Sequence, residues 1–388
     1  MTKIRFISLN VRGLNIPQKR RKALTDLHRQ GGDIVFLQET HFRADAAPSL
    51  SSRFFSQSFY SNYDTSKARG VAILLARHIP FTVIHQQQDA NGRFLFVKGT
   101  LGNQTITLAN IYLPNRGQCA ELRSVLSKLD KFREGLLICE GDFNVSLDSS
   151  REGVHPTPSV DDSLRGRFLR LLHKHQLVDG WRALNPTVRD YTFYSAVAHS
   201  YSRLDTFLIP HHLTKVKIAP ITWPDHAPVV MWVDIQSIPP PHRAWRLNES
   251  LLRDVVIRQN LQDTLAQYFE ENSTPDIPLP TLWEAHKCVI RGHLIQIGAQ
   301  RKREHGKTLD TVLQRIHDLE TAHKSVQSLD IFKDLTEQRA HLNSLLSQQA
   351  FKSILLTKQT YYTQGNKCGR MECHITFCHW TLTDLTSP

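Results

Sequence analysis

The chain has 388 residues, which accommodates two or three domains, and its 40% hydrophobic and 22% charged content is that of a globular protein and excludes a disordered one. The net charge of +12 is unevenly placed: 30 Lys+Arg stand against 20 Asp+Glu up to Gln236, and 18 against 16 beyond it, so a polyanionic partner such as nucleic acid is expected for the first part. No run approaches the ~20 apolar residues of a membrane-spanning helix, MTKIRFISLNVRGL lacks the apolar core of a secretory leader, and Cys119, Cys139 and Cys288 are scattered like the reduced thiols of an intracellular protein, which excludes membrane and disulfide-scaffold classes.

Lys3–Asn10 is apolar and β-branched and predicts a strand that ends in the polar turn Asn10–Leu14. Pro17–Arg29 predicts an amphipathic helix with Pro in its first turn and Leu24 and Leu27 on its buried side. Asp33–Glu39 predicts a second buried strand, ending in a carboxylate. Gly70–Ala76, Phe81–His85, Arg93–Gly99 and Gln104–Leu113 follow at short spacing with Gly or Pro breaks, as strands of a meander. Gln118–Arg133 predicts a helix with Leu122, Val125, Leu126 and Leu129 on one face.

Leu136–Asn144, LLICEGDFN, predicts another buried strand, whose end would hold Asp142 and Asn144 on one side, since strand side chains alternate. An Asx-turn after a core strand is the competing explanation of the same residues. After the polar stretch Ser146–Asp162, Leu164–His175 predicts a helix, Ser202–Ile209 a strand with polar residues at its start, and Val229–Ile235 a strand entered through Trp223–Pro228. Many β segments with few helices predict two packed sheets with helices outside, an α/β sandwich over residues 1–236. Pro239-Pro240-Pro241 marks a stiff linker, 237–248. Residues 249–367 then predict helices, Glu249–Glu270, Thr281–Arg303 and Lys307–Thr360, with Leu309, Leu313, Ile316 and Leu319 on one packing face.

The strand ends collect Asn10, Glu39, Asn110, Tyr112, Asp142, Asn144, Asp205, Asp225 and His226. If they converge, oxygen donors dominate, which suits Mg²⁺ and leaves zinc short of His and Cys. Asp225 and His226 are neighbours and pair poorly, so Asp205, on another strand, is the expected partner of the imidazole. The implied chemistry is phosphodiester hydrolysis: His226 protonated toward a non-bridging oxygen, Asp142 orienting or deprotonating water, Asn144 holding it in line.

SLNVRGL, QETH, NIYLPN, GDFN, SRLD and DHAPV, in this order, resemble the endonuclease/exonuclease/phosphatase superfamily, which includes exonuclease III-like AP endonucleases and DNase I-like nucleases. The resemblance implies a four-layer, DNase I-like sandwich, a Mg²⁺ site (Mn²⁺ as substitute) formed by Asn10, Glu39, Asp142, Asn144, Asp225 and His226, and catalytic roles for Tyr112, Asp142, Asn144, Asp205 and His226. Glu39 is its main metal ligand, and Glu140, which should point with Asp142, has no role in it. Duplex DNA is the implied partner, with Arg12, Asn110, Arg116, Ser202 and Arg203 as DNA contacts. DGWRALNP, YTFYS, AWRLNESLL, LWEAHKCVIRGHLIQIG and YYTQGNKCGRM further resemble LINE-type non-LTR retrotransposons, up to the helical segment that precedes a reverse transcriptase. That implies nicking that leaves a 3′-hydroxyl, contact of the helical region with the element's RNA, and a nuclear location. A cellular AP-site repair enzyme of the same fold and an idle nucleic-acid-binding remnant are the alternatives. Two departures stand out: Pro224 where the family has Ser, and the residues 368–388, whose Cys368, Cys373, His374, Cys378 and His379 have no standard zinc spacing and are read as accidental composition.

Overall fold

A computed structural model describes residues 2–146, 160–209, 215–223, 225–235, 245, 247–326 and 328–364, without the side chains of 160–163, 349 and 352–364. Pro224 and the Cys/His-bearing tail lie outside the described residues. Packing divides the chain into two units, Met1–Pro239 with Arg339–Pro388, and Pro240–Gln338.

The first unit contains two six-stranded sheets. Sheet one is built around β1 (Thr2–Asn10), which pairs in parallel with β2 (Ile34–Gln38) across the helix α1 (Pro17–Arg29). β3 (Phe55–Ser61) and β4 (Val71–Ala76) extend it on the β2 side, and β13 (Lys215–Ile218) and β14 (Val229–Ile235) on the other, giving the order β13-β14-β1-β2-β4-β3. Sheet two repeats the theme. β5 (Phe81–Gln88), β6 (Phe94–Leu101) and β7 (Gln104–Tyr112) form an antiparallel meander. The helix α2 (Gln118–Phe132) then returns the chain to β8 (Leu136–Asp142), parallel to β7. After α3 (Val160–Lys174), β9 (Val178–Asp179), α4 (Gly180–Leu184) and the ribbon β10 (Phe193–Ser195)–β11 (Ser200–Ser202), β12 (Asp205–Ile209) completes sheet two as β5-β6-β7-β8-β12-β9.

Helices flank this pair of mixed sheets: α2 and α3 bury Leu122, Val125, Leu126, Leu129, Phe168, Leu171 and Leu172 with Phe94, Phe96, Ala109, Ile111, Leu137 and Cys139 of sheet two. Two such parallel strand–helix–strand units put the ends of β1, β2, β7 and β8 at one edge of the sandwich, where strands of this kind hold their ligands.

Two expectations are corrected. Gly70–Ala76 is not part of the meander: β4 belongs to sheet one, between β2 and β3, and the chain changes sheets in the turn before Phe81. The edge strand β3 was not foreseen, because FSQSFYS is polar and, with only Phe55 and Ser61 buried, shows no clean alternation.

The two sheets meet through side chains arranged in tiers. Phe36 of β2 meets Phe207 of β12 edge-on, with ring centroids 6.2 Å apart. Beside them lie four buried polar residues: Ser8 is the register partner of Phe36, Glu140 stands between Phe207 and Asn110 as the register partner of both, and Gln38 pairs with Asn10. The next step is Asn10, Tyr112, Asp142 and Asp205, with Asp142 paired to Tyr112 on one side and Asp205 on the other.

In the second unit, α5 (Val255–Asn272) and α6 (Leu279–Val326) bury Leu251, Ile257, Leu261 and Leu294. Two long helices, α6 and α7 (Leu329–Gln364), stand where breaks near Gly306 and an unbroken 307–360 were expected. A Cβ at Gly306 would meet nothing within 4 Å, so this glycine leaves no packing defect at which the helix must end. No helix among the described residues is long and apolar enough to cross a membrane.

Candidate active site

Asn10, Tyr112 and Asp142 at the open edge line a cleft of about 500 Å³ together with Arg12, Glu39, Asn115, Asn144, Phe193, Leu204, Asp225 and His226, with Asp205 buried behind His226. The chain leaves β2 through Glu39 and then His41, both with left-handed backbones (φ 54° and 59°). For residues other than Gly such conformations cost of order 1–3 kcal/mol each and persist where the surroundings over-determine them. The turn aims the Glu39 carboxylate at the end of β1. Asn10 Nδ2 donates to Glu39 Oε1 (3.1 Å) and to Asp142 Oδ2 (2.9 Å), so one amide spans a carboxylate from each sheet. Tyr112 Oη donates to Glu39 Oε1 at 2.9 Å, and His41 Nε2 lies 3.2 Å from Oε2.

Burial pushes the Glu39 carboxyl up, but hydrogen bonds from His41, Asn10 and Tyr112 outweigh it and hold the group at about 2. Burial and the nearby Glu39 charge push the Tyr112 phenol up, so it remains a donor. Asp142 behaves oppositely: burial first, then the charge of Asp205, raise its carboxyl well above the usual range. Two carboxylates of one site are thus driven apart, the pattern by which such groups divide roles.

Across the cleft, His226 Nδ1 lies 2.9 Å from Asp205 Oδ2, as the sequence led one to expect. Burial alone would lower this imidazole, but Asp205, its hydrogen bond and Asp142 raise it to about 9. Phe193 packs on the ring at 4.9 Å. Thr192, completely buried, ties the pair together: its carbonyl accepts from Ala227 N (2.7 Å) and its hydroxyl from Leu204 N (3.0 Å) and Asp205 N (3.1 Å). Ligand atoms of Asp142, Asp205 and His226 lie within 4.8 Å of one another.

Asn144 sits beyond the strand with φ 50°, its N–H donating to Asp142 Oδ1 at 3.0 Å and its Nδ2 to Leu113 O at 2.7 Å. The Asx-turn and the cleft residue are therefore the same feature. Asp225 Oδ2 is bound by Arg12 Nη1 at 2.5 Å on the rim, where the Arg12 side chain is 59% exposed. Arg116 is exposed beside Asn115, and Ser202, half-buried, accepts from Thr192 N through its carbonyl.

Two expected DNA contacts are corrected. The Arg203 side chain is 0% exposed, 2.6 Å from Asp179 and over the Trp181 ring, because Asp179 reaches it from β9. Asn110 is wholly buried and donates to Leu37 O and Ala72 O of the opposite sheet, so neither side chain reaches a phosphate. His41, Asn115, Thr192 and Phe193 were not singled out from sequence. His41 stands in the quoted QETH; the others carry no signal beyond their neighbourhood.

The donors fit a hard cation. Glu39, Asp142, Asp225 and the Asn10 amide offer oxygen, and two buried carboxylate oxygens, Asp205 Oδ1 and Asp225 Oδ1, have no hydrogen-bond partner among the described residues.

Residues 7–247 match the Endonuclease/Exonuclease/phosphatase family. The chain is 28% identical over 270 residues to an uncharacterized 149 kDa protein of transposon TX1 from Xenopus laevis, 66% of this chain but 20% of that protein, so it spans about a fifth of that relative. It is 25% identical over 263 residues to an exodeoxyribonuclease of Bacillus subtilis, 60% of this chain and 100% of that enzyme. Among solved structures, an AP endonuclease from Leishmania major superposes with a TM-score of 0.51 at 18% identity, covering 62% of this chain and 88% of that one, which is a likeness of fold.

Proposed function

The chain belongs to the endonuclease/exonuclease/phosphatase family, a hydrolytic nuclease or phosphodiesterase by that membership, and we propose that it nicks duplex DNA by Mg²⁺-dependent hydrolysis, leaving a 3′-hydroxyl. The observation that carries this is the Asn10 amide joining Glu39 and Asp142 across the two sheets, opposite a His226 held by Asp205.

Glu39, with Asn10 and Asp225 beside it, would hold Mg²⁺ (or Mn²⁺); when bound, the ion neutralises charge on the phosphate and the leaving oxygen. The rest falls to the chain. His226, charged at neutral pH, donates from Nε2 to a non-bridging phosphate oxygen while Asp205 keeps the ring oriented. Asp142, whose raised carboxyl readily takes a proton, orients and deprotonates the attacking water. Asn144 has one side-chain proton committed to Leu113 O and keeps its Oδ1 for holding that water in line. Tyr112 fixes Glu39. Arg12 and Arg116 contact the DNA backbone.

The likeness to the transposon protein favours a retrotransposon origin; on that reading we propose that the helical region contacts the element's RNA and that the protein works in the nucleus. The full-length match to a bacterial exodeoxyribonuclease supports a second reading, an AP-site repair enzyme. A supercoiled-plasmid assay with Mg²⁺ tests the proposal. The parent chain should produce nicked circles whose ends a polymerase extends, and Glu39→Ala or His226→Ala should lose at least ~100-fold of that rate. Unchanged nicking by both variants overturns the site. A strong preference for abasic over intact duplexes would favour the repair reading.

A further inference from the structure

The polar tier beneath the cleft takes no part in this chemistry, yet it is completely enclosed. Gln38 Nε2 lies 2.8 Å from Asn110 Oδ1, 2.8 Å from Glu140 Oε2 and 3.1 Å from Ser8 Oγ. An amide nitrogen has two protons, so this one is fully committed, and it faces two strands of the opposite sheet. Asn110 answers with two bonds to backbone carbonyls of sheet one, Leu37 O at 3.0 Å and Ala72 O at 2.9 Å.

A core selected for stability alone would not be built this way. Glu140 is buried completely, and its Oε1 has no hydrogen-bond partner among the described residues. Each buried unsatisfied polar atom costs ~1–3 kcal/mol, and apolar side chains of similar volume often do better. Hydrogen bonds do, however, fix distance and register where apolar contact permits sliding.

The register gives that a purpose. Ser8 lies two residues before Asn10, Asn110 two before Tyr112, Glu140 two before Asp142, and Gln38 immediately before Glu39. The cleft needs the two sheets at one separation, because Asn10 and Glu39 come from sheet one and Tyr112 and Asp142 from sheet two. We propose that Gln38, Asn110 and Glu140 are positioning residues: a clamp across the sheet interface that holds the two halves of the cleft at the separation at which Asn10 spans Glu39 and Asp142. Misplacement of reacting groups by about 1 Å costs on the order of 100-fold in rate, so a slack interface is felt in kcat before it is felt in folding.

The clamp rests on the hydrolytic reading of the cleft. The test uses the full chain and the variants Gln38→Met, Glu140→Leu and their double, with Leu108→Ala, a fully buried β7 residue two positions before Asn110, as a packing control. Three quantities are read: kcat and KM for plasmid nicking, Mg²⁺ affinity by calorimetry, and Tm. Both single variants should lose ~10–100-fold in kcat and bind Mg²⁺ more weakly, with KM for DNA within about twofold. The double should fall little further, because both changes break one contact. Glu140→Leu should keep or raise Tm, while Leu108→Ala should lower Tm and keep kcat. A kcat within about twofold of the parent in both single variants, or a loss that tracks Tm across all four proteins, overturns the clamp. If the parent itself does not nick DNA, the hydrolytic reading falls, and unchanged Mg²⁺ affinity in the variants then sinks the clamp as well.

Discussion

His226 gives the site its main pH dependence. The folded protein holds its proton up to about 9, whereas the unfolded chain releases it near 6.5. The resulting stability is complete below pH 6.5 and is lost as pH rises through 9, a contribution of roughly 2–4 kcal/mol for a buried group of this kind. Denaturant titrations of metal-free protein at pH 6 and pH 9.5 should show that loss, and His226→Gln should flatten it; an equal slope in both proteins would mean that the Asp205 contact does not hold the proton. At Arg203 the buried pair with Asp179 makes the opposite forecast from a DNA contact. Arg203→Ala should destabilise by roughly 3 kcal/mol, because the Asp179 charge loses its buried cation and keeps only the hydrogen bonds of Trp181 N, Arg182 N and Thr206 Oγ1. Arg116→Ala should leave Tm unchanged and reduce the salt dependence of DNA binding by about one phosphate. Melting curves and binding at several salt concentrations separate the two. Asn10, Asp142 and the Asp205–His226 pair were legible because each stands where an apolar run turns polar, and because neighbours such as Asp225 and His226 pair poorly. Arg203 was misread because its partner Asp179 lies on another strand, a relation no local pattern carries.

Gly141 shows how tightly the elements themselves are set. It pairs with Ile111 in the parallel β7–β8 ladder, and a Cβ there would fall 2.0 Å from Ile111 O. The two strands that carry Tyr112 and Asp142 therefore approach as closely as they do only with glycine at this point. Gly141→Ala should destabilise by roughly 3 kcal/mol or more and abolish nicking, read by denaturation and the plasmid assay; a stable, active Gly141→Ala would show that the ladder can part without moving the site. Strand and helix identities were legible wherever burial was two-sided, as in Val71–Ala76 and Leu136–Asp142, since continuous apolar runs admit little else. The assignment of β4 to sheet one was not, because a turn of a few residues can continue a meander or cross between sheets with the same composition. Asn110 reads as a DNA contact and Glu140 as a carboxylate without a role for a related reason: whether a polar residue on a buried strand faces the cleft or the opposite sheet is known only once that sheet is placed.

The molecule as a whole has two compact units with separate cores. Calorimetry should resolve two unfolding transitions, and Mg²⁺ should raise only the one that His226→Gln also shifts, because ligand stabilises the unit that binds it. A single transition, or a shift of both by Mg²⁺, would mean that the units unfold together. Within the first unit, β1 is made first but occupies the middle of sheet one, with Thr2 paired to Ile235 of the last strand. Its outer hydrogen bonds wait for β14. At synthesis rates of ~5–20 residues per second, the ribosome needs roughly 12–47 s to supply that closing strand. A nascent or prematurely terminated chain that stops short of Val229 therefore carries Glu39, Asp142 and His226 without a closed sheet one to align them.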